Sequence, residues 1–97
     1  MSVIEVTTFR LRPGADETAF LDADRRVQTD FYYANEGLLR RTTARGDDGG
    51  WVVVTSWASD GHAEASATRA VDDTAVNRFM SFVDPTSLRE GRYHALA

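Results

Sequence analysis

Hydrophobic and polar positions change period several times along this chain. From Val3 to Arg12, β-branched and aromatic residues fall into two alternating sets: Ile4, Val6, Thr8, Arg10 and Arg12 on one face, and Val3, Glu5, Thr7, Phe9 and Leu11 on the other. Both sets carry apolar residues, so the strand predicted here contacts something on each side, and Pro13-Gly14 stops it. The period then turns helical. Phe20, Ala23, Val27, Phe31 and Ala34 form one stripe, with Asp22, Arg25, Arg26 and Asp30 largely off it. Ala15 or Asp16 opens this helix, the acidic pair Asp16 and Glu17 suits its first turn, and Gly37 is its stop. Extended character resumes from Leu38 to Arg45, pauses at the turn cluster Gly46 to Gly50, and is strongest from Trp51 to Trp57, which predicts a β-hairpin with a five-residue loop. Ser59 or Asp60 caps a short Ala-rich helix reaching about Ala70. Asp72 or Asp73 caps another that carries Val76, Phe79, Met80 and Val83, and Pro85 ends the helical stretch. A last, weaker strand is predicted from about Leu88 to Leu96.

The order strand, helix, strand, strand, helix, strand is the split βαβ pattern of an α+β, ferredoxin-like fold. It predicts one domain over residues 1–97, with a four-stranded antiparallel sheet and helices on one face. The other sheet face is left open, and its apolar side chains need a cover; a second copy of the chain, giving a homodimer, is the economical one.

Composition changes the picture mainly by exclusion. Hydrophobic residues at 42% and charged residues at 27% describe an ordinary globular chain rather than a disordered one. Fifteen acidic against eleven basic residues, a formal charge of -4, disfavour nucleic acid as a partner. The chain has no cysteine, which removes disulfides, thiolate metal sites and thiol nucleophiles together. No apolar run approaches the roughly 20 residues of a membrane span, and the start reads as a strand rather than a signal segment. The expectation is an unprocessed, cytoplasmic protein that binds neither nucleic acid nor membrane.

Several stretches also resemble a family. The run Phe9 to Gly14, Phe20 in the first helix, Gly37-Leu38 opening the second strand, and Val53 to Asp60 before the second helix are similar to the antibiotic-biosynthesis-monooxygenase-like dimeric α/β-barrel proteins. The resemblance covers roughly residues 3 to 96 and rests on strand ends and packing positions. It implies a ferredoxin-like dimer in a family that includes cofactor-independent monooxygenases of phenolic polycyclic compounds and haem-degrading enzymes. The haem-degrading branch carries an Asn on the first strand, a Trp on the second helix and a His further along. Thr7, Ser66 and Ala75 stand at those positions here, so the resemblance disfavours haem degradation and implies no cofactor.

Candidate chemistry is spread thinly. Glu5 and Thr7 share a face with Phe9 and Leu11; turned toward the helices, they place a carboxylate and a hydroxyl in an apolar cavity, where Glu5 is a candidate general base. The plainer reading pairs Glu5 with Arg40 or Arg41 across strand two. Those two arginines are adjacent in an extended segment, so one faces inward and needs an anion; Arg40 is taken as the candidate. His62, at the start of the second helix, is a candidate proton carrier or a solvated surface histidine. Tyr33 offers a phenol, although the run Phe31-Tyr32-Tyr33 also suits sealing the core. Trp57 is a candidate ligand contact or, more simply, packing. His62 and His94 are the two histidines and have no ligand spacing, so no metal is expected. Phosphate loops, nucleophile elbows and paired-histidine helices are absent from the sequence.

Two functions remain. One is a small dimeric enzyme of cofactor-independent monooxygenase or isomerase type, acting on a small aromatic or polyketide-like compound. The other is a non-catalytic dimeric module that binds a metabolite or a protein.

Overall fold

The computed structural model describes residues 2–97. Four strands, β1 (Val3–Phe9), β2 (Leu38–Arg45), β3 (Trp51–Trp57) and β4 (Arg89–His94), alternate with helices α1 (Glu17–Asp30), α2 (Asp60–Ala70) and α3 (Thr74–Met80). Single 3-10 turns at Tyr32–Ala34 and Pro85–Ser87 complete the order. Each α-helix starts on a side chain that accepts a first-turn N–H: Asp16 from Thr18, Ser59 from His62, and Asp73 from Val76. Two glycines serve the chain reversals. Gly49 adopts φ +85 in the hairpin turn, where Asp48 Oδ1 accepts the Gly50 N–H, and Gly37 adopts φ +83 just before β2.

The strands lie in the order β2-β3-β1-β4, every neighbouring pair antiparallel. Two βαβ units therefore interleave, which is the ferredoxin-like α+β arrangement. Alternation assigns Val3, Glu5, Thr7 and Phe9 of β1, and Trp51, Val53, Thr55 and Trp57 of β3, to the helix-facing side. Ile4, Val6, Val52 and Val54 point to the opposite face and remain half-buried in the single chain.

Two apolar clusters fill the space between sheet and helices. The larger joins Phe9, Trp51 and Val53 of the sheet to Phe20 and Val27 of α1 and Phe31 just after it, with Phe79 and Val83. Phe20 is its centre, with ring centroids 4.9 Å from Trp51 and 5.3 Å from Phe79. Full burial of side chains of this size contributes roughly 1.5–3 kcal/mol each, and that burial, rather than intrinsic propensity, fixes α1 on the sheet. The smaller cluster joins Val3, Trp57 and Ala63. Tyr32 packs against both.

Several boundaries differ from the sequence expectation. β1 pairs only as far as Phe9; beyond it Leu11 makes an isolated bridge to Val83, and Arg10 and Arg12 are exposed. The stripe predicted through Ala34 stops at Phe31, because the 3-10 turn that follows breaks the helical phase and leaves Ala34 exposed. β4 is shorter than expected at both ends. Among the described residues no helix is long and apolar enough to cross a membrane.

Candidate functional site

Between the two apolar clusters the helix-facing side of the sheet is polar. β1 contributes Glu5 and Thr7 there, β4 contributes Glu90 and Arg92, and β2 contributes Arg41 and Thr43. Glu5, Thr7, Glu90, Gly91 and Arg92 line an open cavity of about 250 Å³. A larger cleft of about 560 Å³ lies at the hairpin end, among Arg10, Glu17, Arg45 and Trp51. Its guanidinium groups are already engaged, Arg10 by Asp48 and Arg45 by Glu17, so it offers a ligand less.

Glu5 is held on both of its oxygens. Trp57 Nε1 donates to Oε1 at 2.8 Å, and Arg92 Nη2 donates to Oε2 at 3.2 Å. Arg92 sits opposite Glu5 in the β1–β4 register, so the contact follows directly from strand pairing. The same guanidinium reaches Asp60 Oδ1 and Glu64 Oε1 of α2, each at 3.5 Å. Hydrogen bonding and attraction from Glu5 raise the Arg92 pKa above its ordinary value, so Arg92 stays charged. One residue beyond it on the same face, His94 Nε2 meets Asp60 Oδ2 at 2.9 Å. That hydrogen bond is the main cause of a lowered Asp60 pKa, with Arg92 adding to it. An ionic clamp thus ties β4 to the start of α2.

Arg41 lies deeper, its side chain 1% exposed. Nη2 donates to Asp24 Oδ1 at 2.8 Å and Nη1 to Gln28 Oε1 at 3.2 Å, while Thr43 also donates to Asp24 at 2.9 Å. The guanidinium carbon stands 4.8 Å from the Tyr32 ring centroid and 5.7 Å from that of Phe79. Arg41 Nε is buried and has no hydrogen-bond partner among the described residues; leaving a buried donor unmet costs about 1–3 kcal/mol. Beside it, burial pushes the Tyr32 phenol above its ordinary pKa; Arg41 pulls it down, and Glu5 and Glu90 add to the rise. The Tyr32 ring is 6.3 Å from Trp57, which closes the circuit back to Glu5.

The structure redistributes the residues singled out in the sequence. Glu5 and Thr7 do face the helix side, and Trp57 joins them, fully buried, through its bond to Glu5. Glu5 pairs with Arg92 rather than with Arg40 or Arg41, because β1 lies between β3 and β4 and does not touch β2. Arg41 rather than Arg40 is the inward arginine: Arg40 pairs in register with Ser56 on the open face and is exposed, whereas Arg41 pairs with the buried Thr55. Tyr32 rather than Tyr33 is the half-buried phenol, whereas Tyr33 and Arg40 line an open cavity of about 330 Å³ together with Arg41. Tyr33 is 64% exposed and its hydroxyl accepts from Gln28, because the 3-10 turn points the two neighbouring phenols in different directions. His62 does not line the cavity. Its Nδ1 lies 2.8 Å from Ser59 Oγ and its ring covers Gly37, where a Cβ would come within 2.2 Å of Cγ.

Sequence reading did not single out Arg92, Asp24 or Gln28. Alternation along β4 places Arg92 and Glu90 on one face, but which face depends on a register that only the folded sheet supplies. Among the described residues no three His, Asp or Glu side chains are grouped to hold a metal ion.

No protein-family model matches the chain, and no curated protein matches it. Solved structures do. A cofactor-independent oxygenase from Streptomyces nogalater, SnoaB, is 15% identical and superimposes with a TM-score of 0.81 over 99% of this chain and 94% of its own. A candidate antibiotic biosynthesis monooxygenase from Caulobacter crescentus is 14% identical, with a TM-score of 0.82 over 99% of this chain and 91% of its own. Another from Nitrosomonas europaea is 13% identical, with a TM-score of 0.76 over 98% and 90%. The chain has the fold of these proteins, in agreement with the resemblance read from its sequence; at such identities the likeness speaks for the fold alone.

Proposed function

We propose that this chain, with the fold of the antibiotic biosynthesis monooxygenase-like proteins, is a small enzyme that oxidises or isomerises a hydroxylated aromatic compound without a cofactor. The observation that carries this reading is Glu5 at the wall of an open cavity with Arg92 in register beside it. A carboxylate there can take the acidic proton of a phenol, and the guanidinium, released from Glu5 by that transfer, can then pair with the phenolate. Thr7 lines the same cavity with its hydroxyl-bearing side chain on the same strand face. The electron-rich anion is the reductant: a ring C–H becomes a carbonyl with one atom of dioxygen, and the other atom leaves as water. With no oxygen step, the same proton transfer supports isomerisation. The resemblance of the chain to dimeric relatives and the half-buried Ile4, Val6, Val52 and Val54 support a homodimer joined through the open sheet face.

The test uses 1,5-dihydroxynaphthalene under air, followed by oxygen uptake and by the visible absorption of the hydroxynaphthoquinone. The expected stoichiometry is one dioxygen consumed and one water formed per quinone. Glu5→Gln should abolish turnover and leave the protein folded. Equal rates in the wild type and Glu5→Gln would remove Glu5 from the chemistry.

A second reading, a non-catalytic dimeric module that binds a metabolite, is favoured by the size of the cavity. About 250 Å³ falls below the roughly 300–1,000 Å³ that ligand sites usually span. It predicts binding of the naphthalenediol with no oxygen uptake.

A further inference from the structure

Where the turn after α1 leads into β2, Tyr33, Asn35, Leu38, Leu39, Arg40 and Arg41 line an open cavity of about 330 Å³. It lies at the β2 edge of the sheet, opposite the β4 edge that carries Arg92. Asn35 and Arg41 are its buried residues: Asn35 Nδ2 donates to the Phe31 carbonyl at 2.8 Å, and the Arg41 guanidinium is held by Asp24 and Gln28. Leu39 has no register partner, because β2 carries one extra residue between the pairs Leu38–Trp57 and Arg40–Ser56, and a bulge of this kind turns a side chain out of the sheet. Leu39 is 59% exposed and Tyr33 64%, so two large apolar side chains stand open on one cavity.

Its charge sets this cavity apart. Four other open cavities of the chain are each lined by at least one Asp or Glu, whereas this one is lined by two arginines and no carboxylate. Asp24 already balances Arg41. Arg40 has no carboxylate partner among the described residues; its side-chain bond is from Nε to Thr42 Oγ1 at 3.4 Å, which leaves both terminal nitrogens for an anion. The Tyr33 hydroxyl accepts from Gln28 Nε2 at 2.7 Å and keeps its own proton to donate.

We propose that this cavity is a second binding site, separate from the one at Glu5, and that it takes a small aromatic carboxylate. The ring lies against Leu39 and Tyr33, and the carboxylate pairs with Arg40. A guanidinium matches the two oxygens of a carboxylate, and the apolar walls favour an aromatic acid over a bare inorganic anion. The cavity's volume falls within the roughly 300–1,000 Å³ usual for ligand sites. The inference is independent of whether the Glu5 cavity is catalytic.

The test is a titration with 1-naphthoate at millimolar concentration, followed by the amide nitrogen-15 shifts of the protein. Shifts should appear at Tyr33 and from Leu38 to Arg41, and not at Glu5 or Arg92. Arg40→Gln, at an exposed position, should weaken binding about tenfold, the loss expected for a hydrogen bond to a charged group. Leu39→Ser should weaken it several-fold. The uncharged 1-naphthamide and inorganic phosphate should each bind about tenfold or more weakly than naphthoate. Naphthamide binding as tightly as naphthoate, or an unchanged affinity in Arg40→Gln, would overturn the role of the arginine; phosphate binding as tightly would reduce the site to an adventitious ion only. Shifts confined to Glu5 and Arg92 would overturn the second site while leaving the first cavity in place, and no shift at all would overturn the proposal outright. Shifts from Leu38 to Arg41 on raising the protein concentration alone, with no response to naphthoate, would show a second copy in the cavity and overturn it equally.

Discussion

The indole N–H of Trp57 donates to Glu5 Oε1 at 2.8 Å, although in the sheet register Glu5 lies opposite Thr55 and Trp57 opposite Val3. The bond is therefore a diagonal cross-strand contact, and it joins the smaller apolar cluster to the polar band. Trp57→Phe keeps the aromatic packing but removes the donor and part of the ring. Loss of a hydrogen bond to a charged group costs about 1.5–3 kcal/mol, and the space left behind adds to it. Urea denaturation should show a total of about 2–4 kcal/mol; a change below about 1 kcal/mol would mean that the indole does not hold Glu5.

Arg41 and Asp24 should behave as a buried pair. Removing the cation by Arg41→Met leaves a carboxylate that is 13% exposed without its partner, at a cost of about 3–5 kcal/mol. Adding Asp24→Asn should recover a large part of that loss. Denaturation midpoints of the two single variants and the double variant measure the coupling, and additive losses would show that the pair is not coupled.

Much of this architecture is legible in the sequence because alternation and helical periodicity are strong. The strand cores, the three helix starts and the five-residue hairpin loop all follow from side-chain pattern and caps. The site is less legible, for reasons visible in two residue pairs. Arg40 and Arg41 must point to opposite faces, but a register irregularity between Leu38 and Arg40 decides which one goes inside. Tyr32 and Tyr33 sit where α1 gives way to a 3-10 turn, so extending the helical stripe misplaces both phenols. Arg92 needed the β1–β4 register, which is a long-range property no local window contains.

Gly37 and His62 give a direct test of whether that histidine packs or reacts. Gly37 combines φ +83 with a position where a Cβ would lie 2.2 Å from His62 Cγ. Gly37→Ala should therefore cost more than the roughly 1–2 kcal/mol of the left-handed backbone alone. His62→Ala in the same chain removes the ring but keeps a Cβ that would lie 2.7 Å away, so it should return part of the steric cost and leave the backbone part. If His62→Ala returns nothing, the imidazole is not seated on Gly37.

The clamp between β4 and α2 should open in acid. His94 lowers the pKa of Asp60 from its ordinary 3.8. A carboxyl with a depressed folded pKa contributes stability that is complete above its unfolded value and is lost as pH falls through the folded one. Amide exchange in α2 should thus accelerate, relative to α1, as pH drops below about 4, after correction for intrinsic rates. Asp60→Asn should make exchange in α2 fast already at pH 6 and flatten that dependence. A wild-type profile with the same slope in both helices would show that the clamp does not hold α2.

The open face of the sheet leads to the last prediction. Val6 and Val54 are register partners at the centre of that face, flanked by Ile4 and Val52, and all four stay half-buried in the single chain. If two such faces pack as a symmetric pair, each substitution enters the interface twice. Val54→Lys sets two ammonium groups where two isopropyl groups met, at a cost of roughly 2 kcal/mol each after partial escape to solvent. Since about 1.4 kcal/mol is tenfold in affinity, the dimer should weaken on the order of a thousandfold while the monomer fold, whose helix-facing core is untouched, survives. Sedimentation of the wild type should give a dimer at micromolar concentration and of Val54→Lys a monomer with an unchanged circular dichroism spectrum. A wild-type monomer would rule out the dimer, and a Val54→Lys dimer would place the contact elsewhere on the molecule.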